Sequence, residues 1–321
     1  MIFPTLAVQL ARKYPEFRSA FVPLVESNPG IAYESLCNQM DKLIVGPLVE
    51  SGISTVIVID ALDECKDEEP ASAILSVLGR FVPELPRVKF FVTGRPESRI
   101  RQGFQLPLLV EATNVFVLHN VKPSFVNNDI WLFLKQSFLE IAHRHGLDNW
   151  PTTEQLDLLC QRSGGLFVYA VATVKYLDQR NNLPKEQLDH LLLSPNNTIH
   201  EGRTKLKKNS TLDLLYMSIL QEAFGDDNPD NDPKVRSVLG AVVLAANPIS
   251  PSIIEALLGF STGSAFLRLS SAHSLLILED SNHVVWPFHK SFPDFIIDQS
   301  QCTNQRFCIS PPDWLPQVNE Q

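Results

Sequence analysis

The sequence predicts an α/β protein with a parallel sheet near its start, followed by an all-helical region and then three helices with a hairpin. Three observations predict this. Two fully apolar runs, Ser54–Asp60 (STVIVID) and Val88–Thr93 (VKFFVT), have strand composition and are separated by helical periodicity rather than by a tight turn. From Asp129 onward the apolar spacing is helical only. Near the end, two short apolar runs flank a polar turn.

In the first 120 residues, Leu6–Lys13 and Tyr33–Val49 carry apolar residues at helical spacing. Ala71–Phe81 does the same, with Ile74, Leu75, Leu78 and Phe81 on one face. Val115–Leu118 is a third apolar run and a predicted third strand. Continuous apolar strands separated by helices predict a parallel sheet covered on both faces. Asp129 is predicted to cap a helix carrying Ile130, Phe133, Leu134, Phe138 and Ile141. A second helix follows Gly164–Gly165, and Leu183–Leu192 is a third. Ser194–Ser210 is polar and aperiodic and reads as a linker. Leu212, Leu215, Tyr216, Ile219 and Leu220 mark the next helix, before an acidic loop at Gly225–Pro233. Helices are predicted to start near Lys234, Ser250 and Gly263. Leu275–Leu278 and Val284–Trp286 form a hairpin around Glu279–His283, and Ser291–Asp298 is helical. Three helices and a two-stranded wing describe a winged helix. Pro311, Pro312 and Pro316 fall in a predicted loose tail. The predicted domains are 1–120, 121–209 with the linker, 210–308 and a tail over 309–321.

The net charge of -9 over 321 residues argues against a nucleic-acid surface, which needs clustered Lys and Arg. Arg203, Lys205, Lys207 and Lys208 form one basic cluster, but its polar setting reads as a solvated loop. Cys37, Cys65, Cys160, Cys302 and Cys308 form no C-x-x-C pair, which predicts reduced thiols and a cytoplasmic protein. His143 and His145 are too close for a helical i, i+4 metal pair. Val238–Ala246 is too short to span a bilayer, so no membrane is expected. The apolar start, Ile2–Ala11, lacks the basic region and cleavage site of a signal peptide, and the N-x-T matches at Asn196 and Asn209 therefore carry little weight.

An apolar strand ending in a carboxylate suits Mg²⁺–nucleotide chemistry, because open α/β sheets bind ligands beyond their strand C-termini. Asp60 is the candidate metal ligand, directly or through water. Asp63 and Glu64 are placed to orient an attacking water. Arg95 follows the second strand, where a cation can meet a terminal phosphate. The competing reading of these residues is a buried strand, an acidic turn extended by Asp67, Glu68 and Glu69, and a surface Arg.

VIVIDALDEC followed by KFFVTGRPE resembles the NACHT domain of fungal STAND-class NTPases, the group called nephrocystin-3-like N-terminal. FPTLAVQLA, Trp150–Pro151, SGGLFVYAVATV, LDLLYMSIL and FHKSFPDFI extend the likeness in order over residues 2–308. The resemblance implies a partial P-loop NTPase-type sheet with Asp60–Ala61 and Asp63–Glu64 as Walker B, and Arg95 as sensor. It also implies that Leu166 and Phe167, after Gly165, pack on adenine, although Phe167 stands where many other STAND proteins have proline. It places His289 against the β-phosphate of ADP. Mg²⁺ and ATP or ADP are the cofactors of the intact family. A P-loop requires G-x-x-x-x-G-K-[ST], and no Gly-Lys dipeptide occurs in this sequence. The family places that loop and two strands ahead of the FPTLA helix, so the expectation is a truncated domain that does not bind or hydrolyse ATP unaided. Loss of a central strand would leave the Arg95 strand with an open edge and the Val115 strand without a neighbour. That portion is then expected to be poorly ordered, or completed by a protein partner or by self-association. A noncatalytic interaction module built on the helical and winged-helix parts is the alternative. DNA is not the expected partner, since the last helix carries only Lys290, offset by Asp294 and Asp298.

Overall fold

The computed structural model describes residues 2–65, 68–178, 183–193, 210–225, 232–279 and 284–310. They form two compact units, residues 1–117 and 118–321, each around its own hydrophobic core. The linker with its basic cluster and two N-x-T sites, Asp67, most of the acidic loop, the hairpin turn and the tail from residue 311 lie outside the described residues.

The first unit opens with α1 (Ile2–Lys13) and α2 (Pro15–Ser27), whose Pro15 supplies a pre-set helical φ at the first helical position. Ser35 caps α3 (Leu36–Gln39), its hydroxyl accepting from the Asn38 N–H at 3.3 Å. The helix then passes through a π-helical turn at Met40–Val45 into α4 (Gly46–Ser51). It stops at Gly52, whose φ of 61° suits a residue without Cβ. The predicted Tyr33–Val49 helix is thus present from Leu36 onward, with Tyr33 in a separate tight turn before it and a widened turn inside it. Strand β1 (Thr55–Ile59), α5 (Glu68–Phe81) and β2 (Val88–Val92) form a parallel crossover unit in register from Thr55↔Val88 to Ile59↔Val92. Helices α6 (Ser98–Phe104) and α7 (Pro107–Val110) follow.

Two expectations for this sheet fail. Its faces are not both covered: Ile57, Ile59 and Val88 are buried, whereas Val56, Val58 and Phe91 are 60%, 58% and 60% exposed. Alternation puts one side of each strand on the core, and no helix of the described residues covers the other. The third strand does not form. Val115, Phe116, Val117 and Leu118 are exposed, and β1 and β2 pair only with each other among the described residues. Backbone N–H and C=O groups form a strand only against a neighbour, and 115–118 has none.

In the second unit, α8 (Pro123–His145) buries Ile130, Leu134, Phe138 and Ile141 on one face. The predicted cap at Asp129 is wrong, because the helix begins two turns earlier at Pro123, which occupies the first helical position. Helix α9 (Thr153–Ser163) was not predicted, although Thr152 and Gln155 form a reciprocal capping box. Then come α10 (Phe167–Leu177), α11 (Pro184–Leu193) and α12 (Thr211–Phe224), the last capped by Ser210 and Asp213. The buried Arg162 of α9 donates to Leu191 O and Leu192 O at 2.9 and 2.7 Å, satisfying carbonyls that α11 leaves unpaired at its end. Helices α13 (Asp232–Leu244), α14 (Pro251–Leu258) and α15 (Ser264–Ser271) start close to their predicted positions. Strands β3 (Leu276–Glu279) and β4 (Val284–Pro287) pair antiparallel, and Ile249 bridges to Val285. Helix α16 (Ser291–Ile297) buries Phe292, Phe295 and Ile296, with Tyr216 packed against both phenyl rings at 5.5 Å. No helix of the described residues is long and apolar enough to cross a membrane.

Candidate functional site

The parallel register of β1 and β2 sets the geometry of the first candidate site. With Ile59 opposite Val92, both chains leave the sheet at one level, and Asp60 and Thr93 emerge side by side. The Thr93 hydroxyl donates to Asp60 Oδ1, and Thr93 Oγ1 accepts from the Ala61 N–H at 2.9 Å. Thr93 N donates to Ile59 O at 3.0 Å, and Leu62 N to Thr93 O at 2.9 Å, which extends the pairing past the strand ends.

Ala61 turns the chain sharply. Its φ and ψ of 55° and 49° are left-handed, a conformation that crowds any Cβ and favours the smallest side chains. The tight turn Leu62–Glu64 then brings Asp63 against the segment that follows β2. Asp63 is 4% exposed. Its Oδ1 accepts from the Arg95 N–H at 3.0 Å, its Oδ2 lies 3.7 Å from Arg95 Nε, and its carbonyl accepts from Arg99 Nη2 at 3.0 Å. Glu64 is exposed beside it.

Three of the four candidate residues in this unit therefore meet at one strand edge, in different roles. Asp60 is exposed, with Oδ1 oriented by a hydroxyl, and fits one oxygen ligand of a hydrated Mg²⁺, an ion that commonly takes one or two carboxylates plus water and phosphate. Asp63 is held by the Arg95 backbone and lies against its guanidinium, so its carboxylate fastens the two strand exits together. Among the described residues no three His, Cys, Asp or Glu side chains cluster as a metal site. Sequence reasoning missed Thr93 and Arg99. Thr93 looks like an ordinary strand residue, and only its place opposite Asp60 gives the hydroxyl a role.

The other candidates lie in the second unit. Leu166 and Phe167, at the start of α10 just after the left-handed Gly165, are each 44% exposed, and the Phe167 ring is 6.1 Å from Phe133. His289 is exposed between β4 and α16. Its Nδ1 accepts from the Ser291 N–H at 3.1 Å and lies 2.7 Å from Ser291 Oγ, which in turn is 2.7 Å from the Tyr216 hydroxyl. An Nδ1 that accepts puts the neutral ring's proton on Nε2. Lys175 Nζ stacks over the Phe288 ring at 3.8 Å, and burial pushes this ammonium's pKa down.

Residues 1–95 match the profile of the family described as Nephrocystin 3, N-terminal. This segment holds β1, β2 and all four candidate residues of the first unit. No curated protein and no solved structure matches the chain.

Proposed function

We propose that residues 1–117 are the Walker B and sensor-arginine portion of a NACHT-type, STAND-class NTPase, with residues 118–308 as its helical and winged-helix domains. The observation that carries this reading is the shared strand edge, where an exposed Asp60 is oriented by Thr93 and Arg95 is tethered to Asp63. The family match over residues 1–95 supports the same origin. In this reading Asp60 would hold a Mg²⁺ ion, which would supply charge neutralisation toward phosphate. Glu64 faces the solvent where a water would be oriented, and Arg95 would add positive charge. Taken by itself, the second unit would, by the resemblance, offer Leu166 and Phe167 as an apolar surface for adenine and His289 Nε2–H as a phosphate donor. With no phosphate cradle of the G-x-x-x-x-G-K-[ST] kind in these 321 residues, the chain does not grip nucleotide by itself.

Titration of the protein with Mg²⁺–ATP and Mg²⁺–ADP, read by calorimetry and by amide NMR, tests this. Weak binding without saturation is expected, with shifts concentrated at Asp60, Thr93 and Leu62–Glu64 and absent in Asp60→Ala. Tight binding lost in both Asp60→Ala and His289→Ala would show a nucleotide-competent chain. Shifts that ignore Asp60→Ala would remove Asp60 from the site.

A second reading, as an interaction module, is favoured by the exposed apolar face of Val56, Val58 and Phe91 together with the exposed, unpaired 115–118 run. The occupant it implies is a second copy of the chain, because each copy carries both an open sheet and a spare strand-forming segment.

A further inference from the structure

We infer that the open face of the first sheet is an interface on which two copies of the chain pack with their strands reversed, Lys89 of each meeting the partner's Asp60. This rests on the interaction-module reading above, and adds to it the orientation of the copies and a hold on the Asp60 site. The parallel register arranges the face in rows. Val56 lies beside Lys89 and Val58 beside Phe91, because alternate residues of a strand share a side and paired residues of parallel strands share it too. The Thr93–Asp60 hydrogen bond continues the same side into a third row. Val56, Val58, Asp60, Lys89 and Phe91 are all exposed. The face is therefore apolar through its middle, with a cation at the N-terminal end of its strands and an anion at the C-terminal end. Neither Lys89 nor Asp60 forms an ion pair among the described residues.

That pattern is self-complementary in one orientation. A two-fold axis lying across the strands, through the Val58–Phe91 row, sets that row on its own copy and reverses the strand direction. The Val56–Lys89 row of each copy then lies over the Asp60–Thr93 row of the other. Sheets packed face to face sit about 10 Å apart, a gap that a lysine stem crosses while covering apolar surface with its methylenes. Both ion pairs form at once, because a two-fold interface repeats every contact. An axis along the strands would instead bring the two lysines together at one end and the two aspartates at the other. Charge thus selects the reversed packing over the parallel one. Two short strands offer little area, so the association is weak and sensitive to salt. In the dimer each Asp60 carboxylate meets an ammonium, so association and a cation at Asp60 compete, each weakening the other.

The test uses the full chain, with Asp60→Lys and Lys89→Asp made singly and then mixed. Sedimentation equilibrium at low ionic strength gives the dissociation constant of each. Either variant alone sets like charges against each other at both ends, and should dimerise at least about tenfold more weakly than the parent. In an equimolar mixture, a dimer with one copy of each variant has both ion pairs whole, so association should return to the parental strength. Rescue also shows that both variants fold. Should Asp60→Lys fail to fold, salt decides: rising salt should weaken the parent dimer and strengthen that of Lys89→Asp, whose like charges it screens. A dimer indifferent to both variants, a mixture without rescue although each variant unfolds at the parental urea midpoint, or the same salt dependence in parent and Lys89→Asp would overturn this packing and leave the interaction-module reading standing. A parent chain that stays monomeric would overturn both.

Discussion

At the scale of single residues, Ala61 sets the candidate site. It is a non-glycine residue in the left-handed region, and its turn buries Asp63 against Arg95 while Asp60 stays exposed. Ala tolerates this at modest cost, whereas a β-branched side chain meets the following carbonyl. Ala61→Val is expected to destabilise the first unit by about 1–2 kcal/mol, read by urea unfolding, with Ala61→Gly near neutral. An Ala61→Val chain as stable as the parent would mean that the turn is not strained. The acid–Ala–x–acid–acid spacing was legible because a strand ending in carboxylates is a local pattern. The Thr93–Asp60 hydrogen bond and the Arg99 grip on Asp63 were not. They depend on the parallel register, which a single sequence does not state.

Among elements, those with strong local signals were read correctly. Helix α12, the three helices after it and the hairpin all show their period within a few residues. Helix α8 was misjudged at its start because Asp129 is a good cap residue inside a helix that Pro123 had already begun. The 115–118 run has strand composition without a strand, since composition records preference and pairing needs a neighbour. One element contact carries a pH signature. Glu222 of α12 accepts from the Tyr176 hydroxyl of α10 and from Gln187 Nε2 of α11 at 2.9 Å, yet burial raises its pKa above the ordinary carboxyl value of 4.5. The native state thus binds this proton more tightly than the unfolded chain does. The group's stabilising contribution is complete below pH 4.5 and is lost as pH rises through the raised native value. Urea unfolding of the second unit at several pH values should give a flatter profile over that interval in Glu222→Gln than in the parent. Identical profiles would mean that Glu222 is solvated in both states.

For the molecule as a whole, the apolar spacing changes period near residue 120, close to where the first hydrophobic core gives way to the second. The open sheet was not legible, because a run of alternating Val and Ile reads as doubly buried whether or not anything covers its second face. That face argues for association between copies. Sedimentation or light scattering should show a concentration-dependent dimer that Val58→Lys and Phe91→Lys abolish without lowering the unfolding midpoint. A parent chain that stays monomeric at every concentration would rule this out.

The π-helical turn at Met40–Val45 has a consequence for how the length of this chain can vary. Met40, Leu43, Ile44 and Val45 are all buried there, so the widened turn holds one residue more than a regular helix would need to reach the same core. Removing a residue upstream of it would turn everything before the cut by about 100° relative to α4. Removing one inside it lets the helix tighten to the ordinary pitch and keeps both ends in phase. Any shorter version of this helix that still packs Leu48 inward should therefore carry its gap between residues 40 and 45.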